Sequence, residues 1–276
     1  MRRCALLLVE VLLLGCTGDP AAPHLARGNV LVNNGKREEA ASEYREAARL
    51  SPKAALPLER LGDTLHDLGR ADEALAAYRQ ASARDPGSIT ARIGAARVLL
   101  EQGRLADARG ELTLALRDQP SNLYALLSRG NVLQREGNLK AALEDYQTAV
   151  HLKSTNVPAL YQYGLALLAD GQQEEAQRTF DRLVKVAPDS PEGYHGRARG
   201  AAARGDAAGA ARALREAGER VAKDARTQLA EQGLTGDALE RAAAETTRRS
   251  LAQMRSETAF AAFASDASFR RTAGWE

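Results

Sequence analysis

The sequence predicts an all-α fold: a right-handed α-solenoid of six 34-residue helical hairpins, followed by C-terminal capping helices. Two observations predict it. A small residue returns every 34 positions, at Gly28, Gly62, Ala96, Gly130, Gly164 and Ala198, without a slip. Ala, Leu, Arg and Glu, which lose little rotamer freedom in a helix, abound, whereas aromatic residues make up only 4% of the chain.

Further series with the same spacing assign each part of the hairpin. Ala40, Ala74, Ala108, Ala142, Ala176 and Ala210 pair with the first series, so that two helices can approach closely. Gly35, Gly69, Gly103, Gly137, Gly171 and Gly205 stand where the first helix must end with positive φ. Tyr44, Tyr78, Leu112, Tyr146, Phe180 and Leu214 supply a large side chain to fill the wedge between neighbouring hairpins. Pro52, Pro86, Pro120 and Pro188 stop the second helix, with Ser154 and Ala222 in the two remaining places. The units are 21–54, 55–88, 89–122, 123–156, 157–190 and 191–224. A lone hairpin cannot bury its apolar face, so stacking supplies the core. This pattern resembles the tetratricopeptide repeat.

The first residues have a different grammar. Arg2 and Arg3 precede an apolar run from Cys4 to Leu14, interrupted by Glu10. That run is shorter than the roughly 20 residues a spanning helix needs and matches the plan of a signal peptide. Its ending, Leu13-Leu14-Gly15-Cys16, resembles a bacterial lipobox. The resemblance implies a signal peptide over 1–15, a lipid on Cys16 and a short linker over 16–20. Thr17 follows the cysteine, and the family's sorting rule then implies the outer membrane, on its periplasmic face. Loss of Cys4 with the leader would leave Cys16 as the mature chain's one cysteine, unable to form an intramolecular disulfide.

Residues 225–276 leave the repeat register and are expected to cap the stack, with a helix over 235–257. Phe260, Phe263, Phe269 and Trp275 are concentrated there, either sealing the last hairpin or forming an aromatic docking site.

In the tetratricopeptide family, ligands lie in the groove lined by the first helix of each hairpin. Carrying the family's groove positions onto this register gives Leu25, Asn29, Val32 and Asn33, then Leu56, Glu59, Asp63, His66 and Asp67. The third repeat offers Ile93, Arg97, Leu100 and Glu101, and the fourth Tyr124, Leu127, Asn131, Gln134 and Arg135. Tyr161, Leu165 and Leu168 follow in the fifth, and His195 and Arg199 in the sixth. Asn29, Glu59, Asp63, Arg97, Tyr124, Asn131, Tyr161 and Leu165 are the expected partner-binding residues. A surface graded from acidic-polar to apolar suits an extended peptide or a partner's helix. Leu25 stands where chaperone-binding members place the first lysine of their clamp, which argues against a co-chaperone.

No enzyme is expected, and no cofactor. Asp63, His66 and Asp67 share one helical face, but three such residues are more often a surface cluster than a metal site. Gly28 to Lys36 has six residues between its glycines and spans a helix and turn, so it cannot form a phosphate loop. A formal charge of +2 argues against an electrostatic nucleic-acid binder. Six repeats behind a lipobox resemble the pilotins of type IV pilus secretins. The resemblance implies a non-enzymatic scaffold that binds an envelope protein, a secretin or assembly factor, through the groove and the membrane through its lipid. The alternatives are a general periplasmic scaffold for cell-wall or β-barrel assembly machinery and an unlipidated cytosolic adaptor.

Overall fold

The computed structural model describes residues 19–274, and among these every regular element is a helix. The expected leader, Cys16 and Trp275 lie outside the described residues. The all-α expectation holds: consecutive antiparallel helices pair as the spacing requires. They are α1 (Ala22–Asn33), α2 (Arg37–Leu50), α3 (Leu56–Asp67), α4 (Ala71–Arg84), α5 (Ile89–Glu101), α6 (Leu105–Asp118) and α7 (Leu123–Arg135). Then come α8 (Leu139–Leu152), α9 (Val157–Ala169), α10 (Gln173–Val186), α11 (Pro191–Ala203), α12 (Ala207–Glu231), α13 (Gly236–Arg255), a 3-10 segment (Thr258–Phe263) and α14 (Ala267–Ala273). The chain divides into two compact units, between Val132 and Leu133 within α7.

In the first unit, α1 packs on α2, α3 on α4 and α5 on α6, and each hairpin contacts the next through α2 with α3 and α4 with α5. In the second, α9 packs on α8 and α10, α10 on α11, and α11 on α12. The alanine series is fully buried: Ala40, Ala74, Ala108, Ala142, Ala176 and Ala210 have no exposed surface. The large residues Tyr78, Leu112, Tyr146, Phe180 and Leu214 are equally buried. A β-carbon placed on Gly28 would lie 2.5 Å from the Tyr44 ring, one on Gly62 2.6 Å from Tyr78, and one on Gly164 2.5 Å from Phe180. Gly94 and Gly196, in the first helices of the following repeats, clasp the other side of Tyr78 and Phe180. The aromatic ring therefore touches two repeats at once, and glycine is what makes room for it.

The turn glycines behave as the sequence requires. Gly35, Gly69, Gly103, Gly137, Gly171 and Gly205 take φ between 72° and 79°, a region that costs side-chain-bearing residues energy. The first helices of repeats three, four and five are capped in turn by Ser88, Asn122 and Asn156, which accept from the amides of Ala91, Ala125 and Ala159 at 3.1, 3.0 and 2.9 Å.

Helix α12 is unlike the other second helices. It runs for 25 residues, through Ala222 and past residue 224 to Glu231, because no proline interrupts it. Helix α13 folds back on α12, and α14 packs on α12 as well. Phe260 and Phe269 are buried in one core with Ala198, Ala201, Ala210, Ala211 and Leu214, with Phe263 partly buried beside them. These aromatic residues seal the end of the sixth hairpin. No helix among the described residues is long and apolar enough to cross a membrane.

Candidate partner-binding face

The first helices of the hairpins carry the expected lining residues. In the first unit, a cleft of about 260 Å³ opens between α1 and α3, lined by Asn29, Val32, Asn33, Tyr44, Arg60, Asp63, Thr64 and Asp67. Asn29 and Asp63 face it, and each is tied to the buried aromatic residue of its own hairpin. The Tyr44 hydroxyl donates to Asn29 Oδ1 at 2.7 Å, and the Tyr78 hydroxyl donates to Asp63 Oδ1 at 2.6 Å. Burial first, and then the Asp63 carboxylate, pushes the Tyr78 hydroxyl well above the ordinary tyrosine range, so it stays a donor. Arg97 of the next repeat donates to the Tyr78 hydroxyl at 3.0 Å and to Asp63 at 3.2 Å. Asp63, Tyr78 and Arg97 thus form one polar network across two repeats, with the Arg97 guanidinium still about half exposed.

Other lining residues are committed elsewhere. Glu59 accepts from the hydroxyl of Ser88, the cap of α5, so its carboxylate helps to position that helix. His66 lies 2.9 Å from Glu101, and Asp67 accepts from Arg37 at 3.4 Å. The trio Asp63, His66 and Asp67 therefore turns to three different partners.

Two residues of the fourth repeat are disposed differently. Tyr124, at the start of α7, is 73% exposed, the most open large apolar side chain among the described residues. Asn131, two turns further on, is half-buried, and its Oδ1 meets no donor among the described residues. A buried acceptor left unmet is costly unless something outside the fold supplies the donor.

In the second unit, Leu165 is partly buried against Phe180, Leu167 and Ala176. Tyr161 packs against the same cluster, and its hydroxyl lies 2.8 Å from His195 Nδ1. Burial pushes that hydroxyl up to about 12. His195 in turn faces Glu257, with Nε2 and Oε1 3.0 Å apart, and Arg199 approaches the same carboxylate at 3.4 Å. Burial alone would raise the Glu257 carboxyl; His195 and Arg199 outweigh it and hold the group below the ordinary glutamate range. Repeat spacing located Tyr161, His195 and Arg199. It gave no sign of Glu257, which lies outside the repeats.

The chain matches models of the tetratricopeptide repeat over residues 25–89, 65–130, 133–200 and 191–216, together well over half its length. No curated protein matches it in sequence. Among solved structures, it resembles a tetratricopeptide repeat protein from Parabacteroides merdae at 19% identity, covering 93% of this chain and 98% of the other, with a TM-score of 0.65. It is also similar to PilF of Pseudomonas aeruginosa, at 19% identity, with 77% and 95% covered and a TM-score of 0.61. YrrB, described as a TPR protein with an unusual peptide-binding site, matches at 24% identity over 70% of this chain and all of its own, with a TM-score of 0.53. At these identities the likenesses speak to fold. The family models cover the stretch that carries the buried repeat series, and the chain belongs to the tetratricopeptide-repeat proteins.

Proposed function

We propose that this chain is a lipid-anchored adaptor of the outer membrane that receives an extended segment of an envelope protein, a type IV pilus secretin foremost, on the face formed by its first helices. The tetratricopeptide fold implies a protein-binding scaffold, and no enzyme family is indicated. One observation carries the choice of face: Tyr124 stands 73% exposed two turns before the unmet Asn131 acceptor, on the same face of one helix. An exposed aromatic ring offers binding energy, and a buried acceptor lacking a donor offers direction, the usual division of labour in peptide recognition. Asn29, Asp63 and Arg97 extend the polar part of that face along the first unit. The anchor rests on the lipobox resemblance at Cys16, and the secretin on the likeness of architecture to pilotins.

Two measurements test the two halves separately. Intact mass and membrane fractionation, after expression in a Gram-negative host, should find a chain beginning at Cys16 with added acyl mass in the outer membrane. An unprocessed soluble chain would leave a cytosolic adaptor. Purified secretin from the same organism should bind the wild-type chain, and Tyr124→Ala with Asn131→Ala should weaken that binding at least tenfold without loss of helicity. Undiminished binding by the double variant would remove this face from the proposal.

A further inference from the structure

The face formed by Tyr161, His195 and Arg199 is covered by the chain's own C-terminal segment. Residues 257–260 (Glu-Thr-Ala-Phe) lie against α11, placing the Glu257 carboxylate between His195 and Arg199 at 3.0 and 3.4 Å. The Tyr161 hydroxyl lies 2.8 Å from Nδ1 of the same ring, and Nε2 is on the side of the carboxylate. Three residues on, the Phe260 ring centroid lies 6.2 Å from that of His195, and the side chain is wholly buried. Glu257 is the extended cap of the 3-10 segment, and its carbonyl accepts from the Phe260 amide at 3.1 Å, which keeps the two residues together against α11.

The fit of this resident segment is incomplete. His195 Nε2 and Glu257 Oε2 are both buried, yet neither makes an aligned hydrogen bond, although the ion-pair distances are short. The segment is also a short 3-10 helix, which holds its backbone less firmly than an α-helix. Phe260 shares its core with Phe269 and Ala273 of α14, and the Phe263 ring lies 5.2 Å from that of Phe269. Departure of residues 257–263 therefore uncovers part of that core, while α14 keeps its own packing on α12.

We propose that this face is a latent site for peptides carrying a carboxylate three residues before an aromatic side chain, and that Glu257 and Phe260 occupy it as a built-in competitor. The site is distinct from the Tyr124 face and does not depend on the lipid anchor. A partner bearing the same pair of groups, with its carboxylate better aimed at His195, gains access when residues 257–263 lift away. The tail then sets a threshold: a tethered segment competes at an effective concentration on the order of millimolar.

The test uses a fluorescein-labelled peptide of residues 256–263 (SETAFAAF) and the full chain carrying Glu257→Ala and Phe260→Ala. Fluorescence polarisation should show the peptide binding the variant at least about 100-fold more tightly than wild type, given that tethered competition. Adding Arg199→Ala to the variant, or replacing glutamate by alanine in the peptide, should each abolish binding. Equal binding to wild type and variant overturns the proposal, as does no binding to a variant with wild-type helicity, or binding indifferent to Arg199. Should the variant lose helicity, hydrogen exchange on the wild-type chain decides. Amides of 257–263 must exchange at least tenfold faster than those of α12 and α14; equal protection makes the segment inseparable from the core and overturns the proposal.

Discussion

Val30 and Val98 occupy the same place in their repeats, yet Val30 is 57% exposed and Val98 has no exposed surface. The corresponding Thr64, Val132 and Ala166 are also buried. The difference comes from neighbours: α5 has α4 packed against it, whereas no described helix precedes α1. Stacking, and not the hairpin, therefore buries this position. Val98→Ala should cost about 2 kcal/mol, from lost transfer energy and the cavity left behind. Val30→Ala should stay within about 0.5 kcal/mol of wild type, as an exposed substitution does. Urea unfolding of both variants checks the pair, and similar losses at the two positions would mean that the first repeat is covered in solution.

The helix glycines divide in the same way. A β-carbon at Gly62 would lie 2.6 Å from the buried Tyr78 ring, whereas one at Gly110, in α6, would meet nothing within 4 Å. Gly62→Ala should destabilise by about 1–3 kcal/mol through overpacking against a ring that cannot retreat. Gly110→Ala should instead stabilise by about 0.5–1 kcal/mol, because alanine loses less backbone entropy in a helix interior. Thermal unfolding should move the two melting temperatures in opposite directions.

The hairpins were legible because close packing imposes the same residue size at the same place six times; the fully buried alanines from Ala40 to Ala210 are that constraint made visible. The end of the sixth repeat was harder, since Ala222 carries no stop and α12 runs on to Glu231. Individual roles on the binding face were least legible. Register places Glu59 and Asp63 alike, but only the structure shows Glu59 spent on the Ser88 cap and Asp63 shared between Tyr78 and Arg97. Glu257 could not be found at all, because contact with His195 follows from how the tail folds back and not from any period.

The Asp63 network yields a further contrast. Tyr78 donates to Asp63 at 2.6 Å, while the Tyr146 hydroxyl meets Gln134 only at 3.4 Å. Removing a good hydrogen bond to a charged group costs more than removing a long one to an amide. Tyr78→Phe should lower stability by about 1.5 kcal/mol and Tyr146→Phe by less than about 0.5 kcal/mol. Combining Tyr78→Phe with Arg97→Ala should cost less than the sum of the two, since both act on Asp63. Strict additivity in a double-mutant cycle would show that the three groups do not act as one network.

The tail contact should respond to acid. Docking favours the charged Glu257, because His195 and Arg199 hold its carboxyl below the ordinary glutamate range. A depressed acid contributes its full stabilisation above its ordinary value and loses it as pH falls through the lowered one. Hydrogen exchange at residues 257–263, corrected for intrinsic rates and referenced to α4 amides, should stay protected from neutral pH down to the ordinary glutamate range. Protection should then fall over the interval below it. Glu257→Gln removes the titrating group, so its corrected protection should be flat across that interval, and lower than wild type at neutral pH. A wild-type profile as flat as that of the variant would show that the carboxylate does not hold the segment, leaving Phe260 to do so alone.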